Sequence, residues 1–196
     1  MEEVDAFWAA LDGRSPEYED LFRLPFMTRC VTETLRLWPV VPNGTFRQLS
    51  YEDEVKGPGG KMVKLPKGTL VQVTTIGRHR SEENWGEDAA VFNPDREWKD
   101  DELWHDQVFA GRNPHSRRFS PFTHAPRDCI GKNFAQMEMR TILTQLFRDF
   151  TFELTENEKA AVDELGQAPA RGKNAGTMGP IDVDFEMPHK PCATHS

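Results

Sequence analysis

From residue 86 to residue 121 the chain shows the period of neither a helix nor a strand. The stretch is rich in Asn, Pro, Asp, Gly and Arg, and it leads into the longest amphipathic pattern of the sequence, 130–150. Irregular segments of that length are uncommon inside a compact domain. Where they occur they serve a function or wrap around something. A fold that contains one has to hold it by side-chain contacts rather than by a backbone ladder.

The rest of the chain reads more simply. Met1 to Leu11 is helical, with Val4, Phe7, Trp8 and Leu11 on one face. Gly13 to Pro16 breaks it. A second helix runs from Leu24 to Leu37 and stops at Pro39. Its stripe of Met27, Cys30, Val31, Thr34, Leu35 and Trp38 puts Cys30 in the core, with Glu33 and Arg36 on the opposite face. Phe46 to Ile76 turns to strands. Met62–Leu65 and 69–76 flank a Pro-Lys-Gly turn, a hairpin signal. Ser81 can cap a short helix through Trp85. In the long 130–150 helix, Phe134, Ala135, Met139, Ile142, Leu143, Leu146, Phe147 and Phe150 make a broad apolar face. A polar loop, 155–179, includes an acidic run from Glu156 to Glu164 that reads as a solvated face. Ile181 to Met187 alternates as a half-buried strand, and 188–196 reads as a flexible tail.

Several function classes are excluded by composition. The chain has 196 residues, a net charge of −8 and 37% hydrophobic residues, so a packed core is possible and a nucleic-acid surface is disfavoured. No apolar run approaches the roughly 18–20 residues of a membrane span, and the first residues lack the pattern of a secretory signal. Cys30, Cys129 and Cys192 have no CxxC spacing, which argues against a disulfide framework or a structural zinc site. Cys192, in the polar tail, has no evident role. His79, His105 and His115 have no metal-ligand spacing and read as surface residues.

The chemistry concentrates in Phe119-Ser-Pro-Phe122-Thr-His-Ala-Pro-Arg127-Asp-Cys129-Ile-Gly131-Lys-Asn-Phe134-Ala135. A lone cysteine before a helix is most often a buried small hydrophobe. Here Cys129 stands where the longest helix starts, and free N–H groups and the helix dipole favour an anionic sulfur. Gly131 lets something flat approach the backbone. Arg127 can pair with an acidic group on the same ligand, and Phe122 can cover one face of it. Together these suggest a haem held by cysteine.

Phe122-x-x-Ala125-x-Arg127-x-Cys129-x-Gly131 resembles the haem-binding signature of cytochromes P450, with Ala125 where the family usually has glycine. Glu33-Thr-Leu-Arg36 resembles the family's ExxR helix. Phe92-Asn-Pro94-Asp-Arg96 resembles its downstream arginine motif, with the aromatic that follows displaced to Trp98 by Glu97. The motifs stand in family order. The resemblance implies a mainly α fold with small β-sheets (α+β), the C-terminal part of the P450 fold, over 1–196. It implies haem b with Cys129 as its metal ligand, Phe122 shielding the sulfur, and Arg127 and Arg47 as propionate partners. His124 either touches a propionate or has no role. Glu33 and Arg36 would ordinarily be a solvated pair. In this context they form, with Arg96, a buried network that locks 86–121 against the helix.

Further implications concern the parent protein. It would be a monooxygenase that inserts one oxygen atom from O2 into a small lipophilic substrate, with electrons from NADPH through a reductase. Lys132 and Arg140, with Arg117 and Arg118, would form the docking patch for that donor. Gly77-Arg-His-Arg, Asn84-Trp-Gly-Glu-Asp and Ala125-Pro-Arg are similar to eukaryotic members that hydroxylate fatty chains. For such a parent the expected location is the cytosolic face of the endoplasmic reticulum membrane. Two alternatives stand beside this: a haem-thiolate isomerase or dehydratase acting on hydroperoxides, and a truncated relic that binds no haem. The family's distal helix has no counterpart here, so the sequence reads as a fragment that should fold poorly and be inactive by itself.

Overall fold

Val4, Phe7 and Leu11 recur three and four residues apart, and helix α1 (Glu2–Leu11) turns all three inward. The computed structural model describes residues 2–99, 102, 116–123 and 127–152. Asp12 and Gly13, both at positive φ, end α1. A 3-10 segment, Tyr18–Arg23, follows, its Asp20 clamped by Arg14 at 2.6 and 2.7 Å. Helix α2 (Pro25–Leu37) starts on proline, which lacks the N–H that a first turn leaves unpaired. Its next N–H groups, of Phe26 and Met27, donate to the two carboxylate oxygens of Glu3 at 2.7 and 2.9 Å. So α1 caps α2 with the sign of charge that a helix N-terminus favours.

Four short strands follow: β1 (Thr45–Gln48), β2 (Asp53–Lys56), β3 (Met62–Leu65) and β4 (Leu70–Val73). They do not pair as the Pro-Lys-Gly turn suggests. β3 lies antiparallel to β2 (Asp53 opposite Leu65), and β4 lies antiparallel to β1 (Thr45 opposite Val73). The reversal sits at Pro58-Gly59-Gly60, where both glycines take positive φ and the Gly57 N–H closes on the Lys61 carbonyl at 2.8 Å. Pro66 to Thr69 does form a turn, with the Thr69 N–H on the Pro66 carbonyl at 3.1 Å, but Leu49 pairs across it with Gly68 and Thr69. The turn therefore acts as a bulge in one long ribbon. Gly44, at φ 66°, opens this ribbon; a Cβ there would lie 1.7 Å from the Val73 carbonyl oxygen.

β4 stops at Val73, and Thr75–His79 forms a short helix, α3, where the strand was expected to reach Ile76. Helix α4 (Glu82–Trp85) has Ser81 at its N-cap, but the hydroxyl makes no capping bond; the Ser81 carbonyl accepts the Asn84 and Trp85 N–H groups instead. Residues 86–99 and 116–123 carry no regular element, in keeping with their composition. Helix α5 (Lys132–Asp149) packs across α1 and α2, and the Trp8 indole N–H donates to the Thr144 carbonyl at 3.0 Å. The core runs from Phe7 and Leu11 through Leu24, Met27 and Val31 to Trp85 and Phe119.

Two helices bury only part of their predicted apolar stripes, on α2 Met27, Val31 and Leu35, and bury polar residues beside them. On α2, Thr28, Thr32, Glu33 and Arg36 are buried, whereas Thr34 and Trp38 are exposed and Cys30 is only half-buried. Burial and the nearby Glu3 and Asp95 raise the Cys30 pKa, with Arg29 opposing. On α5, Arg140 and Thr144 are buried while Phe134, Ile142 and Leu146 are exposed. Met139, Leu143 and Phe147 do pack on the core. The buried polar groups are hydrogen-bonded: Arg140 donates to Thr28 Oγ1 at 3.3 and 3.2 Å and to the Gln136 carbonyl at 2.9 Å. The expected loop 155–179, its acidic run, strand Ile181–Met187, tail 188–196, Cys192, His105, His115, His124 and Ala125 lie outside the described residues.

Candidate functional site

Glu33 and Arg36 lie one turn apart on α2, and neither side chain is exposed at all. Arg36 Nε donates to Glu33 Oε2 and Nη2 to Oε1, both at 2.7 Å. The remaining donors of Arg36 gather carbonyls from far along the chain: His79 at 2.9 Å, Val91 at 3.0 Å, and Ala89. Arg96 Nε reaches Glu33 Oε1 at 3.4 Å, and Asn93 N–H reaches the same oxygen at 3.0 Å. Arg96 also holds Asp88 Oδ1 at 2.8 Å and the carbonyls of Asp88 and Val91. That bond from Arg96 holds the Asp88 carboxyl below its ordinary pKa. Desolvation offsets most of the attraction in such a network. Its use is geometric, because it fixes an aperiodic chain against a helix.

A second cluster grips the same segment further on. Arg118 binds Glu102 through Nε and Nη2 at 2.8 Å each, and the Ser116 hydroxyl donates to the same carboxylate. Burial pushes Glu102 toward its protonated form, but the bonds from Arg118, Ser116 and the Lys99 N–H outweigh it, and the pKa stays below the usual value. The two clusters meet on Trp85, whose ring has the guanidinium carbons of Arg118, Arg36 and Arg96 at 4.2, 5.1 and 5.9 Å.

The cysteine loop is built differently. A turn at Ser120–Thr123 places the Thr123 N–H on the Ser120 carbonyl at 3.1 Å, with Thr123 at positive φ. Phe122 packs on the core, and its carbonyl accepts the Cys129 N–H at 3.0 Å. Thr123 Oγ1 donates to the Arg127 carbonyl at 3.1 Å. Cys129 therefore reaches the start of α5 on a closed loop, and it is exposed there. Ile130 beside it is fully exposed, and Phe134, one turn on, is 61% exposed. A Cβ on Gly131 would stand 3.9 Å from the Cys129 sulfur, an ordinary contact. The chain itself thus has room for a side chain at 131, and glycine keeps the face beside the sulfur open.

Arg127 is exposed on this loop. Arg47 is exposed on β1, where its Nη1 donates to the Phe46 carbonyl at 2.9 Å. Among the described residues neither makes an ion pair. No described contact joins Arg47 to the cysteine loop. A surface thiol at a helix N-terminus, apolar neighbours and exposed guanidiniums suit a flat apolar ligand with an anionic edge and a thiolate-seeking metal. A haem has that chemistry. Among the described residues there is no cluster of other metal-ligating side chains.

Two expectations about individual residues fail. Arg140 is no part of a docking surface: it is wholly buried, and burial lowers its pKa to about 9. Lys132 is engaged by Asp128 at 2.7 Å and Arg118 by Glu102, which leaves Arg117 as the exposed member of that set. His79 is a buried residue, with Nε2 accepting the Ser120 N–H at 2.9 Å. Trp85 and Glu102 gained no site role from the sequence, and Arg118 was expected at a docking surface rather than in a cluster, since their partners lie outside any helical or strand spacing. For Trp85 a lone aromatic inside a polar run was the available signal.

Helices with small antiparallel sheets, a dry Glu33–Arg36 pair and an exposed cysteine at the head of the longest described helix make an α+β frame of the kind that a haem-thiolate protein needs. The family model described as cytochrome P450 matches residues 1–173, and the chain belongs to the cytochrome P450 family. It is 36% identical over 146 residues to a cytokinin hydroxylase of Arabidopsis thaliana, covering 74% of this chain and 25% of that protein. It is 38% identical over 164 residues to cytochrome P450 4A10 of Rattus norvegicus, covering 83% and 28%. A putative cytochrome P450 of Caenorhabditis elegans, CYP13A2, is 34% identical over 167 residues, 85% and 28%. The chain spans about a quarter of the length of these curated relatives.

Proposed function

We propose that this chain is the proximal, haem-thiolate part of a monooxygenase, with Cys129 as the residue that would hold the haem iron. The observation that carries the reading is the exposed sulfur at the head of α5, on a loop closed by the Cys129–Phe122 backbone bond and flanked by open apolar surface at Ile130 and Phe134. Bound there through the Cys129 thiolate, a haem would supply the O2-activating chemistry. The chain's own residues do the rest. The Ser120–Thr123 turn and the Gly131 opening orient the sulfur. Phe122 keeps water from its inner side. Arg127, and Arg47 from β1, would hold the propionates by charge-assisted hydrogen bonds. Glu33, Arg36 and Arg96 keep the segment after residue 86 in register behind the loop.

Hydroxylation of a C–H bond is the reaction we assign. It is supported by the family and by the name of the Arabidopsis relative. A fatty-chain substrate is supported by the resemblance of 77–80 and 84–88, and electrons would come from NADPH through a reductase. We place the parent at the endoplasmic reticulum membrane on the family resemblance alone. The test is the reduced, CO-bound spectrum of the full-length gene product. The red-shifted Soret band of a thiolate-ligated haem is expected, and it should vanish in Cys129→Ala. No such band in the parent protein, or a band that survives the substitution, refutes the reading.

A further inference from the structure

We infer that His79 is a positioning residue for the cysteine loop, accepting the Ser120 backbone N–H and tying the loop to the Glu33–Arg36 pair; this rests on the haem-thiolate reading above. His79 ends α3 and is wholly buried. Its two polar ends serve two partners. The backbone carbonyl accepts Arg36 Nη1 at 2.9 Å, and Nε2 accepts the Ser120 N–H at 2.9 Å. The ring lies on Phe119, centroids 5.1 Å apart and planes tilted by 30°. The preceding residue holds the other end of the same partner, since Arg78 Nη2 donates to Ser120 Oγ. Consecutive residues thus grip Ser120 by backbone and by side chain.

From Ser120 the bonds continue to the sulfur-bearing residue. The Ser120 carbonyl accepts the Thr123 N–H at 3.1 Å, and the neighbouring Phe122 carbonyl accepts the Cys129 N–H at 3.0 Å. A nitrogen that accepts must be unprotonated, so the ring carries its proton on Nδ1. The Leu35 and Arg36 carbonyls favour a proton on the ring, although Nδ1 completes no hydrogen bond among the described residues. Burial, then the Arg78 charge, and more weakly Arg36, lower the pKa to about 4, so the acceptor persists at neutral pH. An isolated core histidine would need none of this arrangement. What distinguishes His79 is that its two partners belong to the two halves of the site.

The test uses the full-length gene product with haem, in wild type, His79→Leu and His79→Gln. Leucine fills the space without an acceptor; the glutamine amide oxygen can accept the same N–H. In His79→Leu the Ser120 and Thr123 amides should exchange about tenfold faster, the loss of one buried hydrogen bond, while the α5 amides are unchanged. Its reduced CO complex should show a mixture of the thiolate band and the blue-shifted band of a protonated or displaced sulfur. His79→Gln should restore both readouts. Unchanged exchange and an intact thiolate band in His79→Leu overturn the inference, as does a His79→Gln protein as defective as His79→Leu. If His79→Leu does not fold, His79→Gln decides alone: protection and band retained support the role, and their loss refutes it. A wild type without a thiolate band refutes the haem reading instead, and the exchange arm still judges the tie.

Discussion

The Glu33 pocket and the Cys129 surface lie at opposite ends of one hydrogen-bonded path and are finished to different degrees. In the pocket a carboxylate and two guanidiniums are sealed from water, with donors and carbonyls matched by partners from 79, 88, 89, 91 and 93. At the surface the sulfur is open, and large apolar side chains stand in solvent beside it. The chain completes the first region by itself, and on the proposed function the second is completed by the haem. On the proposed function, the dense hydrogen bonding stands away from the sulfur, which sits on an uncrowded edge.

The sharpest way to break that contrast is Arg36→Ala. It leaves the buried Glu33 carboxylate with only the long contact from Arg96 and the Asn93 N–H, and it leaves the His79 and Ala89 carbonyls without their guanidinium donor, a loss of about 3–5 kcal/mol. The full-length protein should retain no stably bound haem, measured by haem-to-protein ratio after purification. Normal haem content with slower turnover would contradict a structural role.

Acid is the next probe. The folded-state pKa of His79 is about 4, below the 6.5 of an unfolded histidine. The unfolded chain therefore takes up the proton first as pH falls. Stability from the neutral ring is complete above pH 6.5 and drains away between 6.5 and about 4. On the order of 3 kcal/mol is at stake. Urea midpoints across that window should fall more steeply for wild type than for His79→Gln; parallel curves would remove His79 as the cause. Arg118→Ala should cost about 1–3 kcal/mol by leaving Glu102 with weaker partners. Thermal unfolding of the variant measures it, and no shift would mean that the second cluster is idle. The smallest effect sharpens the contrast from the other side: Cys129→Ala should change the urea midpoint by less than about 0.5 kcal/mol, because the sulfur is exposed. A large loss would make the cysteine part of the packing.

What the residues disclosed in advance follows the range of the interactions involved. The helices at 2–11, 25–37 and 132–149 were legible because their signals are local. The meeting of Glu33, Arg36 and Arg96 was legible only through motif likeness, since the pair alone reads as solvated. The inward faces of α2 and α5 were legible only in their apolar part (Met27, Val31 and Leu35; Met139, Leu143 and Phe147), not in the polar residues buried beside it. Thr28 and Arg140 are buried because each satisfies the other across 112 positions of sequence, and no helical period encodes a partner that distant. His79 was misread because a lack of metal-ligand spacing says nothing of burial, and the arginines on either side of it do not mark a surface. Those arginines instead reach inward, Arg78 to Ser120 and Arg80 to the Leu37 carbonyl. The ribbon was misjudged because two proline–glycine turns compete for one reversal, and the paired glycines at 59 and 60 form it.

Gly44 carries a consequence for genetics. Any side chain at this position would drive its first carbon into the Val73 carbonyl oxygen, and the left-handed backbone adds a second objection. Every missense codon at 44 should therefore be rejected to a similar degree, whatever its polarity. Natural alleles of this gene should be silent there while the exposed Val40 and Val41, a few codons upstream, drift freely.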